Sequence, residues 1–287
     1  VLKAWEGLGY HRRARHLHRA AREVAERHDG RLPEARPDLR ALPGVGDYIA
    51  NAVLSMAHQQ PLAVVDGNVL RVLARVRRLA NPVNLPASRR RFQAEADRLL
   101  DPRHPGDFNQ ALMELGALVC TPRRPDCPGC PVREDCAAFR AGDVEAFPVR
   151  APRGAVPHET LVTVVLRRRG RLLVTRRPAA GLLGGLWEFP GAALVPPEDL
   201  PAAARRVAAA LTGLAVDGFR HLGAVRHAYS HLRVTHEVLA AASPRGAVRL
   251  TGAEAFRWAA PGELAVLPFP RVQQKIFRLL GPAADPP

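Results

Sequence analysis

Apolar residues recur at helical spacing through the first half of the chain. In HRRARHLHRAAREVAERH (11–28), Ala14, Leu17, Ala21, Val24 and Ala25 fall three or four apart with Arg and Glu between them, the mark of one buried stripe on a solvated helix. Similar stripes run through YIANAVLSMAHQ, NVLRVLARVRRLA, SRRRFQAEADRLL and FNQALMELGALVC, with Pro and Gly between them in LPGVG, NPVNLP and DPRHPGD. Residues 1–145 therefore read as helical. FPVRAPRGAVPH has three prolines and no period, so 146–157 reads as a linker. Beyond it the pattern changes. TLVTVVLRR and RLLVTRR are β-branched runs meeting at RGR, a hairpin signal; HLGAVRHAYSHLRVTHEVLAA also reads as strands. PEDLPAAARRVAAALTGL and FPRVQQKIFRLL read as helices, so 158–281 is expected to be an α+β domain following an all-α one. No repeats occur.

Hydrophobic residues make up 47% of the 287 positions, enough for packed cores. No run of eighteen apolar residues exists and the first residues lack a secretory core, so a cytoplasmic protein with no membrane partner is expected. Lys and Arg number 42 against 27 Asp and Glu, a net charge of +15. The excess is almost all Arg, whose planar fork suits phosphate, and nucleic acid is the expected partner. The chain opens on Val1 rather than Met, as expected of a piece of a longer protein.

Chemistry concentrates in a few places. All four cysteines lie within CTPRRPDCPGCPVREDC, at Cys120, Cys127, Cys130 and Cys136. A disulfide knot conflicts with a reducing compartment, and zinc more usually takes two C-x-x-C pairs, so a metal or an iron–sulfur cluster stays open at this point. LPGVGDY places Pro43, Gly44, Val45 and Gly46 between two helical patterns, where glycines allow a tight turn and leave helix-start amides to meet a phosphate. In VVDGNVLRVLAR, Asp66 precedes a helix, and by itself it is an N-cap.

Taken in order, L-P-G-V-G, V-D-G-N-V-x-R-V-L-A-R and C-x6-C-x2-C-x5-C resemble the helix-hairpin-helix DNA glycosylases that carry a [4Fe–4S] cluster. WEGLGY with R-x-A-R after it is similar to the adenine DNA glycosylase branch, which removes adenine mispaired with 8-oxoguanine or guanine. The resemblance implies a hairpin at 40–54 and one [4Fe–4S] cluster on the four cysteines of 120–136. It implies that Asp66 stabilises the sugar cation as the N-glycosidic bond breaks, and that Asn68 orients Asp66 or a water. Tyr48 stands where the endonuclease III branch has its Schiff-base Lys, so an essentially monofunctional glycosylase is implied. Glu114 would read the flipped adenine, and Leu8 and Tyr10 would wedge beside the lesion. The family's general acid is a Glu upstream of Val1, and Glu6 does not replace it.

RRPAAGLLGGLWEFPG looks like the approach to a Nudix box. Glu198, Arg206 and Gly213 match the box, but Val207, Ala210 and Leu211 replace its acids and cannot ligate Mg²⁺. A Nudix-like domain without hydrolase chemistry is thus implied. In it Tyr229, Ser230 and His231 match the family's lesion-reading triplet. The partner would be duplex DNA with an 8-oxoguanine:adenine or guanine:adenine mispair, bound by a nucleoid-associated monomer. Rival readings are another glycosylase of the endonuclease III or thymine-mismatch type, or a lesion-binding fragment without catalysis.

Overall fold

The computed structural model describes residues 1–152 and 154–281. They form two compact units, Arg19–Gly154 and a second that joins Val1–His18 to the segment from Ala155 onward. The first eighteen residues, expected with the helices, thus group with the second unit. The reason is polar: the Phe269 amide donates to Glu6 Oε1 at 3.0 Å, Lys3 Nζ reaches the Leu267 carbonyl at 3.4 Å and Arg15 bonds the Gly184 carbonyl.

The first unit is helical, as its periodicity requires. It contains the end of α1 (His11–Arg27), then α2 (Arg36–Ala41), α3 (Asp47–His58), α4 (Gly67–Val76), α5 (Arg89–Leu99), α6 (Pro105–Glu114) and the single turn α7 (Ala137–Arg140). Leu39, Leu42, Ala50 and Leu54 close α2 onto α3 and pack on Val24 of α1. A larger core gathers Val69, Leu73 and Ala74 of α4 with Phe92 and Ala96 of α5, Ala138 of α7 and Phe147. The first half of the expected linker is therefore anchored. Phe147 is buried, the Val83 amide donates to the Val149 carbonyl at 3.0 Å, and Asn84 exchanges two hydrogen bonds with Ala151 (3.0 and 2.9 Å).

The second unit is a mixed sheet with helices on both faces. Its central strand β1 (His158–Arg168) turns through Arg169 and Gly170, both at positive φ, into antiparallel β2 (Arg171–Arg176). Short β3 (Trp187–Glu188) pairs with β2, and β4 (Gly191–Ala193) pairs with β1. The hairpin β5 (Arg220–Ala228) to β6 (Arg233–Ala242) lays β6 parallel to β1, from His158↔Arg233 to Arg167↔Ala242. Strand β7 (Ala255–Ala259), which the sequence pattern did not announce, adds to β2. Helix α8 (Leu200–Thr212) covers one face through Ala203, Ala204, Val207 and Ala208. On the other face α9 (Pro261–Leu264) and α10 (Arg271–Leu279) pack Leu264, Val272, Ile276 and Phe277 on Val165, Val225 and Val238. Among the described residues no helix is long and apolar enough to cross a membrane.

Strand β6 carries a buried histidine. His236 Nδ1 pairs with Thr163 Oγ1 at 2.9 Å, and burial, aided by the neighbouring His227, lowers its pKa to about 4. The unfolded chain binds that proton near pH 6.5, so it holds more protons than the folded one between 6.5 and 4. Stability from neutral His236 is fully present above that window and lost as pH falls through it, on the order of 3 kcal/mol in all. Urea unfolding at pH 7.5, 5.5 and 4.5 should show this fall, and His236→Gln should flatten it; an unchanged pH dependence in the variant would remove His236 from the account.

Candidate active site and cysteine cradle

The turn between α2 and α3 holds Pro43, Gly44, Val45 and Gly46. Gly44 has φ of 83°, a conformation that side chains disfavour, and Gly46 caps α3 with no side chain of its own. No side chain at the N-cap therefore satisfies the first amides of α3. Two arginines that the sequence reading missed lock the hairpin. Arg36 and Arg40 reach Asp47 at 2.6 and 2.9 Å, and Arg36 Nε also donates to Asn51 Oδ1 at 3.0 Å. Tyr48 is exposed on the first turn of α3.

Asn51 continues inward, donating to the Ala63 carbonyl at 2.9 Å. Asn109 of α6, fully buried, accepts from the Val64 amide at 2.9 Å and donates to the Leu62 carbonyl and Ser55 Oγ at 2.9 and 3.0 Å. The strand-like approach to Asp66 is thus pinned by two amide side chains. Asp66 then caps α4, its Oδ1 accepting from the Val69 amide at 2.7 Å and its Oδ2 from Asn68 Nδ2 at 3.3 Å. Both the N-cap role and the Asp66–Asn68 pairing are present together.

Arg71 extends the chain of bonds. It donates to Asn68 Oδ1 (2.9 Å), to the Gly116 carbonyl (2.5 Å) and, through Nε, to the Cys120 carbonyl (2.7 Å). One turn later Arg75, 1% exposed, donates to the carbonyls of Thr121 (2.8 Å) and Phe147 (3.0 Å) and lies 3.3 Å from Cys120 Sγ. So α4 carries the carboxylate at its start and two guanidinium anchors for the cysteine loop along one side. A signal existed: R-x3-R falls in the apolar stripe of NVLRVLAR, where a charge must find buried acceptors.

Cys120, Cys127, Cys130 and Cys136 line one small cavity, walled by Val72, Val119, Val132 and Phe139. Among the described residues no three His, Cys, Asp or Glu side chains converge on one point as a single ion demands. The four thiols ring a space instead. Burial pushes the Cys127 thiol up and its three sulfur neighbours push it further, while Arg75 opposes them. Arg75 is a buried cation that has no carboxylate partner among the described residues and touches a thiol. Such a charge is best compensated by thiolates, so the donor set fits an anionic sulfur-ligated group wider than one ion.

The remaining predicted residues are spread over surfaces. Leu115–Val119 winds as a π turn directly after α6, and Glu114 is exposed at the junction. No hydrogen bond among the described residues joins Asp66 to Tyr48 or Glu114. Leu8 and Tyr10 are 68% and 72% exposed, so neither is a core residue. In the second unit Tyr229, Ser230 and His231 form the tight turn from β5 to β6, closed by the Tyr229 amide on the Leu232 carbonyl at 2.7 Å. Ser230 and His231 are exposed; Tyr229 is half-buried. On the same unit the Nudix-box remnants Glu198 and Arg206 pair with each other, and Gly213 caps α8 at φ of 69°. Both have structural work to do.

Gly116 supplies a test of this packing. A Cβ there would sit 2.7 Å from Asn68 Cβ and 3.1 Å from its backbone, so the start of α4 would have to move. Helix propensity alone predicts that Gly116→Ala stabilises by about 1 kcal/mol. The contact predicts the opposite sign, a loss of roughly 1–3 kcal/mol. Denaturant unfolding of the variant decides, and any gain in stability would show the contact to be soft.

Comparison with known proteins fits this arrangement. The profile of the HhH-GPD superfamily base excision DNA repair proteins matches residues 1–94, and that of the NUDIX domain matches 161–279. The chain is 35% identical to the adenine DNA glycosylase of Homo sapiens over 97% of its own length and 60% of that protein. The adenine DNA glycosylases of Mus musculus (36% identity, 97% of this chain, 63% of that one) and Schizosaccharomyces pombe (31%, 85% and 64%) are also similar. The chain spans about three-fifths of the length of these relatives. The helical half is thus similar to the HhH-GPD superfamily of base excision DNA repair proteins, and the segment that follows it to the NUDIX domain.

Proposed function

We propose that this chain is the greater part of an adenine DNA glycosylase that hydrolyses the N-glycosidic bond of adenine mispaired with 8-oxoguanine or guanine in duplex DNA. The observation that carries the reading is the fixed state of Asp66. One oxygen is committed to the Val69 amide and the other to Asn68, which Arg71 holds in turn. A carboxylate so oriented on a rigid helix start can face a sugar that gains positive charge as the base leaves, without reorganising. Adenine departs with a proton, water adds its oxygen to the sugar carbon, and the proton that water loses replaces the one adenine carried away. Glu6 does not fit the role of proton donor. Burial raises its pKa, but Lys3 and the Phe269 amide outweigh this and hold it below its ordinary value, so it stays ionised.

Other roles follow the same reading. The Pro43–Gly46 turn would receive a phosphate on its amides, and Tyr48, lacking an amine, would leave the strand uncut. Glu114 would meet the flipped adenine, while Leu8 and Tyr10, already exposed, would enter the duplex beside the lesion. Tyr229, Ser230 and His231 would read 8-oxoguanine. Cys120, Cys127, Cys130 and Cys136 would hold one [4Fe–4S] cluster, which supplies a structural brace for the DNA-facing loop with Arg123 and Arg124. The protein would act as a monomer on DNA in the cytoplasm, within the nucleoid.

Single-turnover release of adenine from an 8-oxoguanine:adenine duplex by the full-length protein tests the reading. Asp66→Asn keeps an N-cap and should keep folding and DNA binding, yet slow release by about 10²–10³-fold, as loss of an electrostatic stabiliser does. Wild-type rates in the variant would return Asp66 to a purely capping role. Separately, protein prepared without oxygen should contain four irons per chain and absorb broadly in the visible region. One zinc and no iron would overturn the cluster assignment.

A further inference from the structure

The turn carrying Tyr229, Ser230 and His231 has a charged neighbour. Strand β5 packs on α10 through Val225, and the next side chain on that face is His227. Its ring meets Tyr229 edge-on with centroids 4.7 Å apart, and Tyr229 lies at 29° to His231 with centroids 6.2 Å apart. The three rings form a ladder leading from the core to the turn. Alongside it runs α10. Lys275 Nζ donates to the Arg226 carbonyl at 3.1 Å, and Arg271, exposed, stands one helical turn earlier on the same side. Burial lowers the pKa of His227, and the charges of Lys275 and then Arg271 lower it further; both cations therefore act at the foot of the ladder.

Neither Arg271 nor Lys275 has a carboxylate partner among the described residues. The two carboxylates of this region are engaged elsewhere: Glu6 by Lys3 and the Phe269 amide, and Glu188 by Arg177 with both oxygens at 2.9 Å. Like charges four residues apart on one helix repel, so the pair weakens α10 unless an anion lies against it. We propose that Arg271 and Lys275, together with the Tyr229–His231 turn, form a phosphate-binding surface that seats the backbone of duplex DNA against the second unit. This rests on the reading of the chain as a DNA glycosylase. It adds to that reading a task for α10, in which the turn carries base information and the helix supplies affinity without sequence information.

The salt dependence of binding separates these tasks. Dissociation constants of the full-length protein for 8-oxoguanine:adenine and guanine:adenine duplexes would be measured from about 50 to 200 mM salt. Each lost phosphate contact lowers the log–log slope by about 0.9. Arg271→Gln, which breaks no intramolecular bond, should lower the slope by about one on both duplexes. Arg271→Gln with Lys275→Gln should lower it by about two, and in both the ratio between duplexes should stay unchanged. Ser230→Ala should change the ratio and leave the slope alone. Arg169→Gln, on the far β1–β2 turn, should do neither. An unaltered slope in Arg271→Gln, with Ser230→Ala still altering the ratio, overturns the role of α10 and leaves the glycosylase reading standing. A changed ratio without a changed slope also overturns it, since α10 would then only shape the turn. If the wild type shows no salt-dependent DNA binding, the glycosylase reading fails first.

Discussion

Two buried guanidinium groups hold the helical unit in its working form. Arg71 and Arg75 project from one side of α4 and between them take the carbonyls of Gly116, Cys120, Thr121 and Phe147. Those carbonyls belong to the π turn, the start of the cysteine loop and the segment after α7, and unpaired they would each cost free energy comparable to a lost hydrogen bond. The same helix begins with Asp66, which satisfies its own amides while Asn68 and Arg71 tie it to the loop. Carboxylate and cysteine cradle are therefore parts of one bonded network, and disturbing either end reaches the other. Removing one arginine leaves several orphaned acceptors at once, which makes the network all-or-none.

The approach to Asp66 obeys the same logic from the other direction. Residues 62–65 belong to no strand, and Ala63 and Val64 among them are buried. Asn51, Asn109 and Gln93 supply the missing bonds to Leu62, Ala63 and Val64. Placing the carboxylate at the end of a buried, side-chain-satisfied segment gives it little freedom. In the proposed role of Asp66, facing a developing cation, that rigidity would help, because reorientation during the reaction would cost free energy.

In the second unit the residues aligned with the Nudix box are engaged in structure. Glu198, which a metal site would need free, is spent on Arg206, and apolar Val207 turns into the core under α8. Elsewhere on this unit a tight turn presents Ser230 and His231 to solvent beside a ladder of rings. Such a turn is rigid because its strand partners are long and fully paired on one side.

Much of this was legible in the chain. The helices α1, α3, α4, α5 and α6, the hairpin turn at Pro43–Gly46, the β1–β2 turn and the helices α8 and α10 follow from period and punctuation, which are local properties. The four cysteines stood out as chemical by type and spacing, whereas Asp66 by itself read as an N-cap and its chemistry was implied only by the family resemblance. Tertiary structure alone decided the rest. Strand β7 is short and half-exposed, so its pairing with β2 leaves little trace in its pattern. The grouping of residues 1–18 with the second unit depends on single backbone bonds to Gly184, Leu267 and Phe269, far away in sequence. Arg71 and Arg75 stand in an apolar stripe that marks them for burial, but which carbonyls they meet, and that Asn51 and Asn109 are buried at all, is set by distant segments that no local pattern records.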